Sequence, residues 1–445
     1  MPFRIAIVGA GSLTFTQRLI QDILTVPEFH DVEIALTDIN RTNLLRVAQL
    51  IKRDIAANKL AAKVIATTDR RKALAGAKYV LCAIRVGGLE AFKSDIEIPL
   101  KYGVDQCVGD TLGPGGILYG QRGIPVMLDI CKDIREVAAP GCLFMNYSNP
   151  MAILTWACSK YGGVDTVGLC HGVQDTREQV ADALGVPTVE LDIVAAGINH
   201  QTWFLRVEHK GRDMRKKLLA AFEKHPVYSK TEKVRIDLLK RFGYYTTESN
   251  GHCSEYVAWY RKRRKEIKQW IDTREWIHGE TGGYLNFCTR NRAHFDKQFG
   301  EMLKVPPARC VPEERSHEHA SYIIEARETG RVYRGHFNRI NRGAITNLPE
   351  DCVIEAPGFV DSFGIQMSVF GDLPMACAAT CSASVHVQRM AMEAGITGDR
   401  ELLRQAMLHD PLTAAVCSPP EVWAMADEML AAQAKWLPQY RGKRK

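Results

Sequence analysis

Cys170 and His171 stand together in GLCHGVQ, and Asn199-His200 follow thirty residues later in AAGINHQTW. A thiolate and an imidazole brought together from two loops suit a divalent transition metal. Two protein ligands leave positions open for substrate oxygens and water, as a catalytic ion requires. Taken singly, each has a plainer reading: a cysteine at a strand end as a small buried apolar group, a lone histidine as a hydrogen-bonded structural one. A second set lies in TTESNGHCSEYVAWY, with Glu248, His252, Glu255 and Tyr256. If the segment is helical, i, i+4 spacing puts Glu248, His252 and Tyr256 on one face. That face can present a general base, or it can be a solvated stripe. A third is Asp110-Thr111-Leu112-Gly113-Pro114-Gly115-Gly116. Its glycines and proline predict an irregular loop that either brings backbone close to something or merely connects two elements.

The elements that must position these groups begin at the N-terminus. RIAIV, residues 4–8, predicts a buried strand. Gly9, Gly11 and Ser12 follow, then an amphipathic helix over 13–24, a strand over 32–36, and Asp38. Strand, glycine turn, helix, strand and acidic residue make the dinucleotide-binding unit. Gly9 permits the tight turn and Gly11 the approach of backbone to a pyrophosphate. The helix N-terminus offers unpaired N–H groups. Asp38 accepts from ribose hydroxyls, favouring NAD over NADP. Thr14 stands where the third glycine of the pattern is expected. The plainer reading is a tight turn that binds nothing.

Further strands are expected over 79–86, 142–147 and 166–170, with helices between them. Such alternation predicts a doubly wound parallel sheet, with ligands beyond the carboxyl ends of its strands. Asp38, Arg85, Asn149, Cys170 and His171 sit at those ends, and Arg85 is placed on the cofactor. Beyond residue 200 the alternation fades. Residues 201–340 read as mainly helical, and the basic runs at 261–265 and 441–445 as solvated faces. Strand and turn are expected over 346–360, then helices to the end. The fold class is α/β: an N-terminal Rossmann-like, doubly wound, mostly parallel sheet over 1–200, with a C-terminal mixed α+β domain over 201–445 packed against it for substrate binding and oligomerisation.

The chain has 445 residues, 58 Lys+Arg and 51 Asp+Glu, for a net charge of +7. That surplus is too small to argue for nucleic acid, and no apolar run reaches the roughly 18 residues of a membrane helix. MPFRIAIVGAGS lacks the apolar core and cleavage site of a secretory signal. The 13 cysteines form no CxxC pair and read as reduced thiols of the cytoplasm.

Taken together, the motifs resemble glycoside hydrolase family 4, the NAD- and metal-dependent glycosidases. The resemblance runs through IAIVGAGS, IRVGGLEAFKSDIEIPLKYGV at 84–104, DTLGPGG, NYSNPMA at 146–152, GLCHGVQ, AGINH and TNLPEDCVIEAPGFVD at 346–361. It implies removal of hydride from sugar C3 by NAD⁺, loss of the C2 proton, departure of the aglycone from C1, addition of water and return of the hydride. It puts Cys170 and His200 on the ligands of a divalent ion such as Mn²⁺, and Asn149 and Asp110 on the sugar. His171 falls where some members place an acid. The C2 base falls within 248–256, between His252 and Tyr256, with Tyr256 ahead. Members acting on 6-phosphosugars carry arginine where Phe92 stands, and Gln-Glu-Thr where Gly109-Asp110-Thr111 stands. This favours the α-galactosidase branch and a melibiose-like substrate, with α-glucosides and α-uronides as alternatives. Lys93 keeps an acidic sugar open, and Gly172 does not discriminate the branches. The resemblance also implies a homodimer or homotetramer. The rivals are a simple NAD-dependent dehydrogenase and a non-catalytic sensor of NAD or sugar.

Overall fold

RIAIV forms β1 (Arg4–Val8), whose alternate side chains serve two cores: Ile5 and Ile7 one, Ala6 and Val8 the other. A strand apolar on both faces needs helices on both. Helices Leu13–Leu24 and Arg41–Ala57 cover the first face, and helices Gly113–Val137 and Met151–Ala157 the second. This computed structural model describes residues 3–271 and 274–441.

Five more strands extend it as a parallel sheet: β2 (Glu33–Thr37), β3 (Lys63–Thr67), β4 (Ala77–Cys82), β5 (Leu143–Asn146) and β6 (Asp165–Gly168). Their spatial order is β3-β2-β1-β4-β5-β6. The winding reverses between β1 and β4, and such a reversal opens a crevice at the carboxyl edge. Gly9, Asp38, Arg85, Asn149 and Cys170 each follow a strand that ends on that edge.

The later strands are β7 (Leu191–Ile198), β8 (Gln201–His209), β9 (Arg212–Asp213), β10 (Tyr245–Thr246), β11 (Tyr333–Ile340), β12 (Val353–Asp361) and β13 (Gly364–Met367). They extend the same sheet, antiparallel, in the order β6-β11-β12-β7-β8-β10, with β9 on β8 and β13 on β12. Asn199 and His200 form the two-residue tip of the β7–β8 hairpin, closed by the Ile198–Gln201 pair. Residue 200, where the domain boundary is expected, is part of this tip.

One expectation for the second half is refined and one is corrected. Residues 201–340 are mainly helical, with helices such as Arg215–Lys224 and His319–Thr329, but β8 and the whole of β11 also lie there. QTWFLRVEH becomes a strand because β7 supplies a partner along nearly its whole length, which local periodicity does not reveal. The basic run 261–265 is not wholly solvated. Arg261 is buried, paired with Asp105 and bonded through Nη1 to the Gly279 carbonyl at 2.6 Å. Arg263, Arg264 and Lys265 are exposed. In the basic tail, Arg441 is exposed and 442–445 lie outside the described residues.

Candidate active site

Gly9 leaves β1 with φ +87°, and a Cβ there would lie 2.2 Å from the Ala83 carbonyl oxygen. No side chain fits, because the obstacle is backbone. The Gly11 N–H donates to Asp38 Oδ2 at 2.8 Å, and the Asn40 N–H to Asp38 Oδ1 at 2.7 Å. The carboxylate is thereby oriented beside the glycine turn. Ser12 is the N-cap of helix Leu13–Leu24, yet its side chain makes no capping bond and no acidic residue occupies the first turn. These are the features of an anion-accepting helix start.

Cys170 follows β6, His200 tops the β7–β8 hairpin, and Glu248 follows β10. One donor atom from each comes within 4.8 Å of the others. Cys170 Sγ is 3.4 Å from Glu248 Oε1, and burial and that carboxylate push the thiol well above its usual range. The Gly172 N–H, at the start of helix Gly172–Leu184, donates to the same sulfur at 3.4 Å. His200 is held at φ +62°, a conformation that costs a β-carbon residue roughly 1–2 kcal/mol. Thr111 gives its hydroxyl proton to Asp110 at 3.0 Å. Its 2.9 Å contact with His200 Nδ1 is therefore one in which the ring N–H donates. Nε2 is left with a lone pair. Burial pulls the His200 pKa down to about 4, so the ring is neutral at pH 7. Thiolate, imidazole and carboxylate together fit a divalent transition ion. Asp110, His200 and His252 form a second donor group of the same compass.

The 248–256 segment is helical only over Asn250–Glu255. Ser249 caps that helix by accepting the His252 N–H at 3.2 Å, so Glu248 lies outside it and Tyr256 at its end. The expected single helical face is corrected accordingly, yet all three side chains still reach the site. The His252 ring centre is 5.0 Å from that of His200, and Tyr256 Oη is 3.4 Å from His200 Nδ1. Burial, with Glu255 and Asp110 nearby, pushes the Tyr256 phenol well above its usual range. Burial also lowers His252 to about 4. The Ser249 hydroxyl lies 2.7 Å from His252 Nδ1 and engages that ring nitrogen. Glu255 points elsewhere. It accepts the N–H groups of Cys107, Val108 and Gly109 at 2.7, 3.1 and 2.9 Å and so pins the loop that carries Asp110. His171 is half exposed. Its Nδ1 lies 3.2 Å from Glu318 Oε1, and that bond raises its pKa to about 9.

Asp110 gathers Thr111, Asn149 Nδ2 at 3.1 Å and Arg85 Nη2 at 3.4 Å. The guanidinium of Arg85 stacks on Phe92 at 4.3 Å and Tyr119 at 4.7 Å, and its Nη1 is buried without a partner among the described residues. DTLGPGG is not an irregular loop throughout, because Gly113 to Gly116 form the first turn of helix Gly113–Val137. The close approach expected of its glycines is real and internal. A Cβ on Gly116 would strike the Thr111 backbone at 2.5 Å, and one on Gly115 the Gly109 carbonyl at 2.7 Å. The helix start thus folds onto the loop and fixes Asp110 and Thr111. Thr111 and Glu318 were not anticipated as partners of His200 and His171. Neither has a sequence signal, since both pairings are made across the fold.

The family model described as family 4 glycosyl hydrolase matches residues 4–186, and that of its C-terminal domain residues 195–413. An α-galactosidase of Rhizobium meliloti (strain 1021) is 62% identical over 98% of this chain and 90% of its own length. An α-galactosidase of Bacillus subtilis (strain 168) is 34% identical over 98% and 100%. A 6-phospho-β-glucosidase of Thermotoga maritima, solved with manganese, NAD⁺ and glucose-6-phosphate, shares the fold. Its TM-score is 0.78 at 22% identity, covering 98% of this chain and 99% of that one.

Proposed function

The chain belongs to the family 4 glycosyl hydrolases, and from that premise we propose that it hydrolyses unphosphorylated α-galactosides of the melibiose type, using NAD⁺ and a divalent ion such as Mn²⁺. The observation that carries the substrate class is the 62% identity, over 98% of the chain, to the Rhizobium meliloti α-galactosidase. The buried Phe92 ring, where the 6-phosphosugar members place a cation, supports an unphosphorylated sugar. Residues 1–200 supply the dinucleotide side and residues 201–445 the remainder of the substrate and subunit surfaces.

Gly9, Gly11, Ser12, Asp38 and Arg85 would hold the dinucleotide. The fit rests on the side-chain-free turn at Gly9, the uncapped helix start and the buried, unpartnered Arg85 Nη1. Asp38 favours free ribose hydroxyls and repels a 2′-phosphate. Cys170 and His200 would hold the ion, and Asn149 and Asp110 the sugar. When bound, NAD⁺ would supply a hydride acceptor and donor for the sugar, and the ion a positive charge that acidifies nearby groups. Tyr256 Oη would accept the C2 proton as a phenolate, after losing its own proton, a loss that the positive charge of a bound ion would favour. His252 is the poorer base, because Ser249 engages its Nδ1 and burial lowers its pKa to about 4. His171, kept protonated by Glu318, gives its proton to the departing aglycone oxygen. The burial of Asp110, Thr111, His200 and Tyr256 excludes bulk water while these charges move.

All 13 cysteines are unpaired, which supports a reducing compartment, the cytoplasm. A homodimer or homotetramer is the expected assembly, and light scattering against the 49.8 kDa protomer reads it directly. The function is tested by hydrolysis of aryl α-galactoside, α-glucoside, α-glucuronide and α-galacturonide in D₂O, with NAD⁺, Mn²⁺ and a thiol reductant. The expected result is fastest turnover of the galactoside, with deuterium at C2 that depends on both NAD⁺ and the ion. Faster turnover of another sugar moves the assignment to that branch. Hydrolysis without exchange sinks the mechanism, and NADH accumulating without hydrolysis marks a dehydrogenase.

A further inference from the structure

We infer that Glu248 is a third protein ligand of the ion, and that residue 172 is glycine because any side chain there would expel the Glu248 carboxylate from the site. The inference rests on the reading of Cys170 and His200 as ligands. Two observations carry it. Donor atoms of Cys170, His200 and Glu248 converge within 4.8 Å, with Glu248 Oε1 3.4 Å from the Cys170 sulfur. A Cβ built on Gly172 would lie 1.7 Å from Glu248 Oε1 and 2.7 Å from its carboxyl carbon.

The backbone gives no other reason for glycine at this position. Gly172 opens the Gly172–Leu184 helix and does not have the positive φ that marks Gly9 or Gly113. An alanine suits a helix better than glycine does, and it would keep the N–H that donates to Cys170 Sγ. The nearest atoms a methyl group would meet all belong to Glu248. That carboxylate is the end of a flexible, half-buried side chain. It can swing aside at little cost to folding, at the expense of its place beside the sulfur. Glycine here preserves a ligand position rather than a backbone conformation. A thiolate and a carboxylate would also balance the charge of a divalent ion, which a thiolate and an imidazole do not.

The test is Mn²⁺ affinity, measured by the loss of the free-ion signal in electron paramagnetic resonance, without NAD⁺ or sugar. The proteins are wild type, Cys170→Ser, Glu248→Gln, Gly172→Ala and the Gly172→Ala/Glu248→Gln double variant, each checked for native fold by circular dichroism. Glu248→Gln and Gly172→Ala should each weaken binding on the order of tenfold to a hundredfold. The double variant should bind no worse than Glu248→Gln, because both changes remove one carboxylate. Wild-type affinity in Glu248→Gln, with affinity lost in Cys170→Ser, overturns the inference and leaves the two-ligand reading standing. Wild-type affinity in Cys170→Ser overturns that reading itself. Wild-type affinity in Gly172→Ala, or additive losses in the double variant, overturns the role given to Gly172.

Discussion

Tyr256 and His252 differ in their hydrogen-bond partners, a distinction that residue type alone does not make. Both are buried, and both lie against His200. The difference lies in their partners: the Ser249 hydroxyl is 2.7 Å from His252 Nδ1, whereas the Tyr256 oxygen faces Thr111 and His200. Tyr256→Phe should therefore cut kcat by about 10²–10⁴ and abolish deuterium entry at C2. His252→Asn should lower kcat less and leave exchange measurable. Mass spectrometry of product formed in D₂O reads both variants. Cys170, His200 and Asp38 stand out in the sequence as candidates because of their type and their position after a strand. Glu248 stands out as a neighbour, while its proposed place at the ion does not. Its reach depends on Ser249 ending the helix one residue away and on the bare backbone of Gly172, and both are facts of three-dimensional contact.

Elements are held by a few buried polar pairs as well as by apolar burial. Asp95 in helix Gly88–Lys101 and Arg122 in helix Gly113–Val137 are both fully buried and joined by two hydrogen bonds, at 2.9 and 2.7 Å. Gln433, beyond helix Pro419–Ala432, donates to Asp95 at 2.6 Å. Three segments distant in sequence thus meet at one ion pair. Replacing Arg122 by Met strands a buried carboxylate and should cost about 3–5 kcal/mol, read as a lower urea midpoint. Combining it with Asp95→Leu should recover part of the loss. At this scale β1, β2 and the intervening helix were readable because buried parallel strands are apolar along their length. β8 was not, since its partner lies across a two-residue turn. DTLGPGG misled because glycine and proline open a helix as readily as they break one.

At the scale of the whole molecule, stability carries a pH signature from histidines kept neutral by burial. His336, in β11, accepts the Ala195 N–H of β7 at 3.3 Å, and burial and then Arg334 hold its pKa down to about 3. Its ordinary value is 6.5. Below that the unfolded chain takes up a proton that the folded one refuses. Its contribution is intact above pH 6.5 and declines on acidification towards 3, by about 1.4 kcal/mol per pH unit. Urea midpoints at pH 7 and pH 5 should fall less for His336→Gln than for wild type. An equal fall would show that this ring is charged in the folded state.

The unbroken sheet has a further consequence. Cys170 leaves β6, and His200 tops the hairpin that begins with β7. Backbone hydrogen bonds tie those strands together through β11 and β12. The donors are therefore spaced by the polypeptide, not by the ion they would share. In small zinc domains the cation is the keystone, and a chelator melts the protein. Here the cation is a passenger. Chelation should leave a folded apoprotein whose reloading is a matter of ligand exchange, with no refolding step, so cellular supply can decide which divalent ion is aboard.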